Sequence, residues 1–256
     1  MTNIEALITL ARHYCMNNYN FWVEKYEREK SGKMYSDSDY NLFPRYNAIS
    51  AMLGEILMIV GNNYETIEDC KKELIIIGEY SQNIFTENSE NNIELNAIKE
   101  EKEKFVDYIM QIQEKDLHNV IKLPYIRKLN KKESENIWNK LKNIWNYDGT
   151  YWKHSEDRKN IIFLMEKHVT ENDKYNIIEY ILKKDSMFYN ANEIGNVYET
   201  EIIDFDCSEE IYTNKNYDWI IYKSHEMYMA FGGKMLLDYL NILFSDREEK
   251  INKYEW

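Results

Sequence analysis

Residues 3–29 carry Ile4, Leu7, Ile8, Ala11, Tyr14, Cys15, Asn18, Phe21, Trp22 and Tyr26 at three-and-four spacing, the mark of one buried helical face. Ser31-Gly32 supplies the stop. The polar run Ser36-Asp37-Ser38-Asp39 reads as a loop. Pro44 then suits the first turn of a second helix, where a missing N–H leaves no helical bond unmade. Ile49, Met52, Leu53, Ile56, Leu57 and Val60 carry that helix to Gly61-Asn62-Asn63. Two more helices are predicted over 65–86 and 91–115, the latter with the charged run Lys99–Lys104 on its exposed face. Consecutive helices on short polar connections predict an antiparallel helical layer.

Pro124 punctuates a basic stretch, after which Asn130 is the expected N-cap of a helix from Lys131 to Trp145, with Glu133 as its capping-box partner. Asp148-Gly149 reads as a turn. Past residue 160 the periodicity changes. The continuous apolar run Ile161–Met165 predicts a buried strand, and 172–184 is amphipathic through Tyr175, Ile178, Ile181 and Leu182. Val197, Tyr198, Ile202 and Ile203 imply a strand with imperfect alternation. Tyr217–Tyr222 and Met227–Phe231 predict a hairpin turning through Lys223-Ser224-His225-Glu226. Gly232-Gly233 separates it from a last helix carrying Met235, Leu236, Tyr239, Leu240, Leu243 and Phe244. Helices first and strands later predict an α+β protein: a helical region over 1–146, then an α+β region over 147–256 with a small, mostly antiparallel sheet and packed helices. The two regions form either one composite domain or two packed halves.

Composition narrows the function classes. Only 2 prolines and 8 glycines among 256 residues favour long helices over a loop-rich sandwich. The wealth of Lys, Asn, Ile, Glu and Tyr has the look of an AT-rich bacterial coding bias. A net charge of −13 disfavours broad nucleic-acid binding and attachment to an anionic membrane. It suits solubility, or a partner with a basic surface. The apolar stretches Ile56–Val60 and Leu74–Ile77 fall far short of the roughly 20 residues a membrane span needs. No basic segment followed by an apolar run opens the sequence, so no signal peptide is expected. Cys15, Cys70 and Cys207 are odd in number and never paired as CxxC, which points to reduced thiols and a cytoplasmic location.

Chemistry-bearing motifs are sparse. Gly232-Gly233 has no phosphate-loop context and reads as a strand-to-helix turn. None of His13, His118, His154, His168 and His225 lies four residues from another, which excludes HExxH. His154 with Glu156 and Asp157, and His225 with Glu226, bring few neighbouring ligands, so no metal and no organic cofactor is expected. Ser224-His225 lacks a GxSxG setting. Should the chain be an enzyme, hydrolytic or nucleotide-directed, Ser224, His225 and Glu226 are the candidates, because a hairpin turn holds side chains rigidly.

The strongest local signal is electrostatic. Glu193, Glu199, Glu201, Asp204, Asp206, Glu209 and Glu210 succeed one another with no Lys or Arg among them. Such a run can focus a negative potential on a basic partner, or it can keep an edge strand soluble. The opposite sign gathers at Lys122, Arg127, Lys128, Lys131, Lys132, Lys140 and Lys142, a surface helix or an intramolecular mate for the acids. Trp138, Trp145, Trp152 and Trp219 are expected mostly in the core.

Trp219-Ile-Ile-Tyr222-Lys-Ser224-His225-Glu226, followed by a second strand and a glycine, resembles the C-terminal end of uncharacterised bacterial proteins with a Trp-x-x-Tyr-x-Ser-His-Glu hairpin. Asn41–Ile49 is similar in character. The texture resembles immunity proteins and anti-defence inhibitors of mobile elements. The function expected is therefore a non-catalytic interaction protein that neutralises a basic partner, such as a nuclease toxin or a nucleic-acid-handling defence complex. An enzyme centred on Ser224–Glu226 and a structural subunit are the alternatives.

Overall fold

Residues 1–30, 36–147, 160–206 and 209–253 are described by the computed structural model. Ser31-Gly32, Asp148-Gly149, Trp152, the His154 group and Cys207 lie outside them. The chain divides into two compact units, Met1–Leu123 and Pro124–Trp256.

The first unit holds α1 (Asn3–Glu29), α2 (Asp37–Ile59), α3 (Ile67–Tyr80) and α4 (Asn92–Gln111). Thr2 and Glu5 close a capping box at the head of α1, with Glu5 N–H on Thr2 Oγ1 at 3.2 Å and Thr2 N–H on Glu5 Oε2 at 2.6 Å. Helix α2 starts earlier than its sequence suggests. Ser36 and Asp39 form a second reciprocal cap, so the polar run nucleates helix instead of looping, and Pro44 lies inside. A proline there leaves the carbonyl four residues back without its helical donor, a cost the upstream cap and a buried position for Pro44 offset.

Helix α3 ends at Tyr80, short of 86, because Asn83 takes over the backbone: its Oδ1 accepts from Phe85 N–H at 3.0 Å, and its carbonyl from Thr86 N–H at 2.9 Å. A buried charge cluster ties α2 to α4. Arg45 Nη1 donates to Glu101 Oε1 at 2.6 Å, Lys104 Nζ to the same oxygen at 2.8 Å, and Trp22 Nε1 to Oε2 at 3.2 Å. Cys15 and Cys70 are buried free thiols, and burial pushes the Cys70 thiol up to about 12.

The second unit holds β1 (Ile126–Lys128), α5 (Lys131–Trp145), β2 (Ile161–Met165), α6 (Glu171–Leu182), β3 (Phe188–Asn192), β4 (Val197–Thr200), β5 (Glu210–Asn214), β6 (Ile220–Lys223), β7 (Tyr228–Gly232) and α7 (Lys234–Leu243). The strands form one sheet in the order β1-β4-β3-β5-β6-β7-β2, and every neighbouring pair is antiparallel. The capping box of Asn130 and Glu133 opens α5 as the sequence predicts. That helix joins the sheet rather than the preceding helices: Ile137 and Leu141 pack with Phe163, Ile211, Ile220, Tyr222 and Ala230 on one face. Ile177 and Ile181 of α6 and Leu236 and Leu240 of α7 cover the other face, against Leu164, Ile221, Met229 and Phe231. Helices on both faces explain why β2, β6 and β7 are unbroken apolar runs rather than alternating ones.

The predicted hairpin is present, with Tyr222 opposite Ala230 and Lys223 opposite Met229. At its far end Gly233 has φ +101°, and a Cβ there would sit 2.2 Å from the Asp218 carbonyl oxygen. Only glycine occupies this backbone region without strain. We therefore expect Gly233→Ala to destabilise the sheet unit by about 2–3 kcal/mol, read from urea unfolding. An unchanged midpoint would mean that the β7–α7 junction yields. Among the described residues, no helix is long and apolar enough to cross a membrane.

Candidate functional site

The β6–β7 turn and the acidic segment are far apart in sequence and meet at one end of the sheet. Glu209 joins them. It precedes β5 with a left-handed φ of 59°, and its residue is only 6% exposed. Its Oε2 accepts the Tyr222 hydroxyl at 2.7 Å. Its Oε1 accepts the Ser224 hydroxyl at 3.2 Å and the His225 backbone N–H at 2.7 Å. His225 Nδ1 lies 2.6 Å from the same oxygen, while Nε2 lies 3.4 Å from Glu226 Oε1. Tyr222 and Ser224 are each 1% exposed, so Glu209 is the acceptor for two hydroxyls that water does not reach. Burial raises the Tyr222 pKa, with the Glu209 hydrogen bond acting in the same direction.

Chemically the cluster offers an imidazole held by a buried carboxylate. The Nδ1 contact with Glu209 fixes the ring and leaves Nε2 beside Glu226, an arrangement that orients an imidazole for acid–base chemistry. Ser224 is poorly placed to be a nucleophile, since its hydroxyl donates to Glu209 while accepting Glu226 N–H at 3.1 Å. One ligand atom from each of Glu193, Glu209 and His225 lies within 4.8 Å of the others. Lys223 is turned away, with Nζ on the Phe205 carbonyl and 3.2 Å from Glu166, which Lys174 also meets at 3.2 Å.

The other acids of 193–213 are largely occupied within the unit. Glu199 receives Arg127 Nε at 3.1 Å and Lys215 Nζ at 2.6 Å. Its pKa is lowered: burial pushes it up, and the bonds from Lys215 and Arg127 outweigh that push. Arg127 also reaches Glu133 at 3.0 Å, so part of the basic stretch is paired inside the unit. Glu201 accepts Tyr125 N–H at 2.9 Å. Glu210 accepts the Tyr212 hydroxyl at 2.9 Å and Asn190 Nδ2 at 3.1 Å, and burial raises its pKa. Asp204 Oδ1 accepts Asp206 N–H at 2.8 Å. Glu193, Asp204 and Asp206 remain on the surface.

A second surface, in the helical unit, is missed by reading motifs alone. Between Lys72 and Lys99 the chain contains Glu73, Glu79, Glu87, Glu90 and Glu94 and no Lys or Arg. The same segment exposes Ile76 at 55%, Tyr80 at 72%, Ile84 at 74% and Phe85 at 54%. Ile76 and Tyr80 are one turn apart on α3. The connection carrying Ile84 and Phe85 is fixed, with Asn83 Nδ2 on the Asn47 carbonyl at 2.9 Å and the Phe85 ring edge-on to Phe43 at 5.6 Å. Gly78 lets α3 approach Phe105 and Val106 of α4. Alongside runs a groove lined by Glu79, Leu95, Ile98, Lys102, Val106 and Asp107. The signal was in the sequence: an acid-only stretch with aromatic and branched residues at positions its helical period does not bury.

Comparison of the chain with protein-family models, curated proteins and solved structures finds no match.

Proposed function

We propose that this chain is a non-catalytic interaction protein that captures a basic partner, and that the capturing surface is the acidic, apolar-studded segment 73–98. The observation that carries this reading is the coincidence of five carboxylates, in a stretch with no Lys or Arg between Lys72 and Lys99, and four large side chains more than half exposed. Apolar anchors in an acidic rim fit a cationic amphipathic helix, the anchors giving affinity and the rim giving encounter rate and partner choice. A nucleic-acid-handling protein, whose substrate channel is basic, is the class of target. The segment 193–213 has a smaller part here, because most of its acids hold their own unit together.

The test uses a lysine-rich amphipathic helical peptide with leucines along one face, and its glutamate-for-lysine copy. Only the basic peptide should bind, and more weakly as salt rises. Replacing Tyr80 and Ile84 together by alanine leaves the charge intact and should weaken binding about 10-fold or more. Undiminished binding by that variant would reduce the interaction to unspecific charge attraction and end the proposal.

A second reading rests on the Glu209–His225 contact: hydrolysis with His225 as base. Because Ser224 is engaged, the attacking group would be water.

A further inference from the structure

The sequence offers His225 only Glu226 as a neighbouring ligand, which is why no metal is expected there. The fold adds two carboxylates from other loops. We propose that Glu193, Glu209 and His225 form a binding site for a divalent transition-metal ion of the zinc class, with water completing the coordination.

Three observations carry the assignment. The first is the donor geometry: one ligand atom from each residue falls within 4.8 Å of the other two, so small side-chain shifts bring all three to bond lengths of about 2 Å from one ion. The second is that the backbone positions of all three are fixed relative to one another. Glu193 N–H donates to the Glu209 carbonyl at 3.2 Å, extending the β3–β5 ladder beyond the Asn192–Glu210 pair. His225 N–H donates to Glu209 Oε1 at 2.7 Å. A site whose backbone is tied in the absence of the ion loses little ordering entropy on binding.

The third observation is the support behind the central ligand. The buried Tyr222 hydroxyl holds Glu209 Oε2 at 2.7 Å, leaving Oε1 directed at His225. Hydrogen bonds of this kind from outside the ligand set orient metal-binding carboxylates. His225 Nδ1 lies 2.6 Å from Oε1. The imidazole, whose side chain is 63% exposed, has room to swing slightly outward and admit an ion between Nδ1 and Oε1. One imidazole and two carboxylates form a borderline donor set, suited to Zn²⁺, Co²⁺ or Mn²⁺ rather than to ions that prefer oxygen alone. Lys223, the cation next in the chain, is held at Glu166 and the Phe205 carbonyl, so it does not neutralise the pair of carboxylates.

The site lies in the sheet unit and the proposed capturing surface in the helical unit, so each can fail without the other. The experiment titrates Co²⁺ into the chelator-treated full chain and follows visible absorbance and heat. One equivalent should bind. His225→Ala and Glu193→Gln, both at exposed positions, should keep the wild-type circular dichroism while losing at least about 10-fold in affinity. Tyr222→Phe retains every ligand and removes only the supporting hydroxyl, and should also lose about 10-fold. Binding that is unchanged in His225→Ala would put the ion elsewhere on the chain and overturn the assignment. Absence of binding by the wild type at millimolar Co²⁺ would overturn it equally.

Discussion

Glu209→Ala is expected to lower the stability of the sheet unit by about 3–5 kcal/mol, the largest effect of any single change near the β6–β7 turn. The side chain accepts from the Tyr222 hydroxyl, the Ser224 hydroxyl and the His225 backbone and ring. Removing it takes the Glu209 acceptor away from two hydroxyls on residues 1% exposed, at about 1–3 kcal/mol each. Glu209→Gln keeps one oxygen but turns the other into a donor facing donors, so it should recover only part of the loss. Glu226→Gln, on the outer side of the same turn, should stay within about 0.5 kcal/mol of wild type. Urea unfolding followed by tryptophan fluorescence measures all three. Equal stability of Glu209→Ala and Glu226→Gln would show that the turn does not depend on its buried carboxylate.

Glu101→Ala should have a comparable effect in the helical unit, about 3 kcal/mol or more. The Glu101 side chain is 1% exposed and is met by Arg45, Lys104 and Trp22. Losing one member of a buried ion pair strands the other, which typically costs about 3–5 kcal/mol. Arg45 retains Glu100 at 2.6 Å and Asn41 at 2.9 Å, which holds the loss toward the lower end. The diagnostic comparison is the double variant Arg45→Met, Glu101→Met. With no stranded charge, it should regain much of the stability lost by Glu101→Ala. Should the double variant be the less stable of the two, the network would be a net stabiliser rather than a set of mutually dependent charges. Helical circular dichroism against urea separates the cases.

What the sequence made legible follows from which forces are local. Caps at Asn130–Glu133 and the extent of α1 are set within a few residues, and both are read correctly, although Phe21, expected on the buried face of α1, is 53% exposed. Strands β2, β6 and β7 were legible because burial on both faces makes them continuous apolar runs. Strands β3 and β5 were not. Phe188–Asn192 and Glu210–Asn214 interleave polar with apolar residues instead of forming a continuous apolar run, yet β5 is the middle strand of the sheet. Its polar groups are satisfied by residues distant in sequence: Thr213 Oγ1 donates to the Trp219 carbonyl at 2.6 Å, and Asn190 Nδ2 donates to Glu210 at 3.1 Å.

The same limit governed the acids. A count of charges between Glu193 and Thr213 cannot reveal Arg127 and Lys215 on Glu199, or Tyr222 beneath Glu209. Ser224, His225 and Glu226 could be singled out from a hairpin signal. The carboxylate that fixes them could not, because Glu209 and His225 are sixteen positions apart with β5 and β6 between them.

The most direct measurement of the capturing surface is hydrogen–deuterium exchange of the full chain, alone and saturated with the basic amphipathic peptide. Helix α3, the turn at Asn83–Thr86 and the start of α4 should gain protection, centred on the amides between Ile76 and Leu95, while 193–206 exchanges as before. Protection confined to 193–206, with 76–95 unchanged, would contradict the account and return the partner to the acidic segment of the sheet unit.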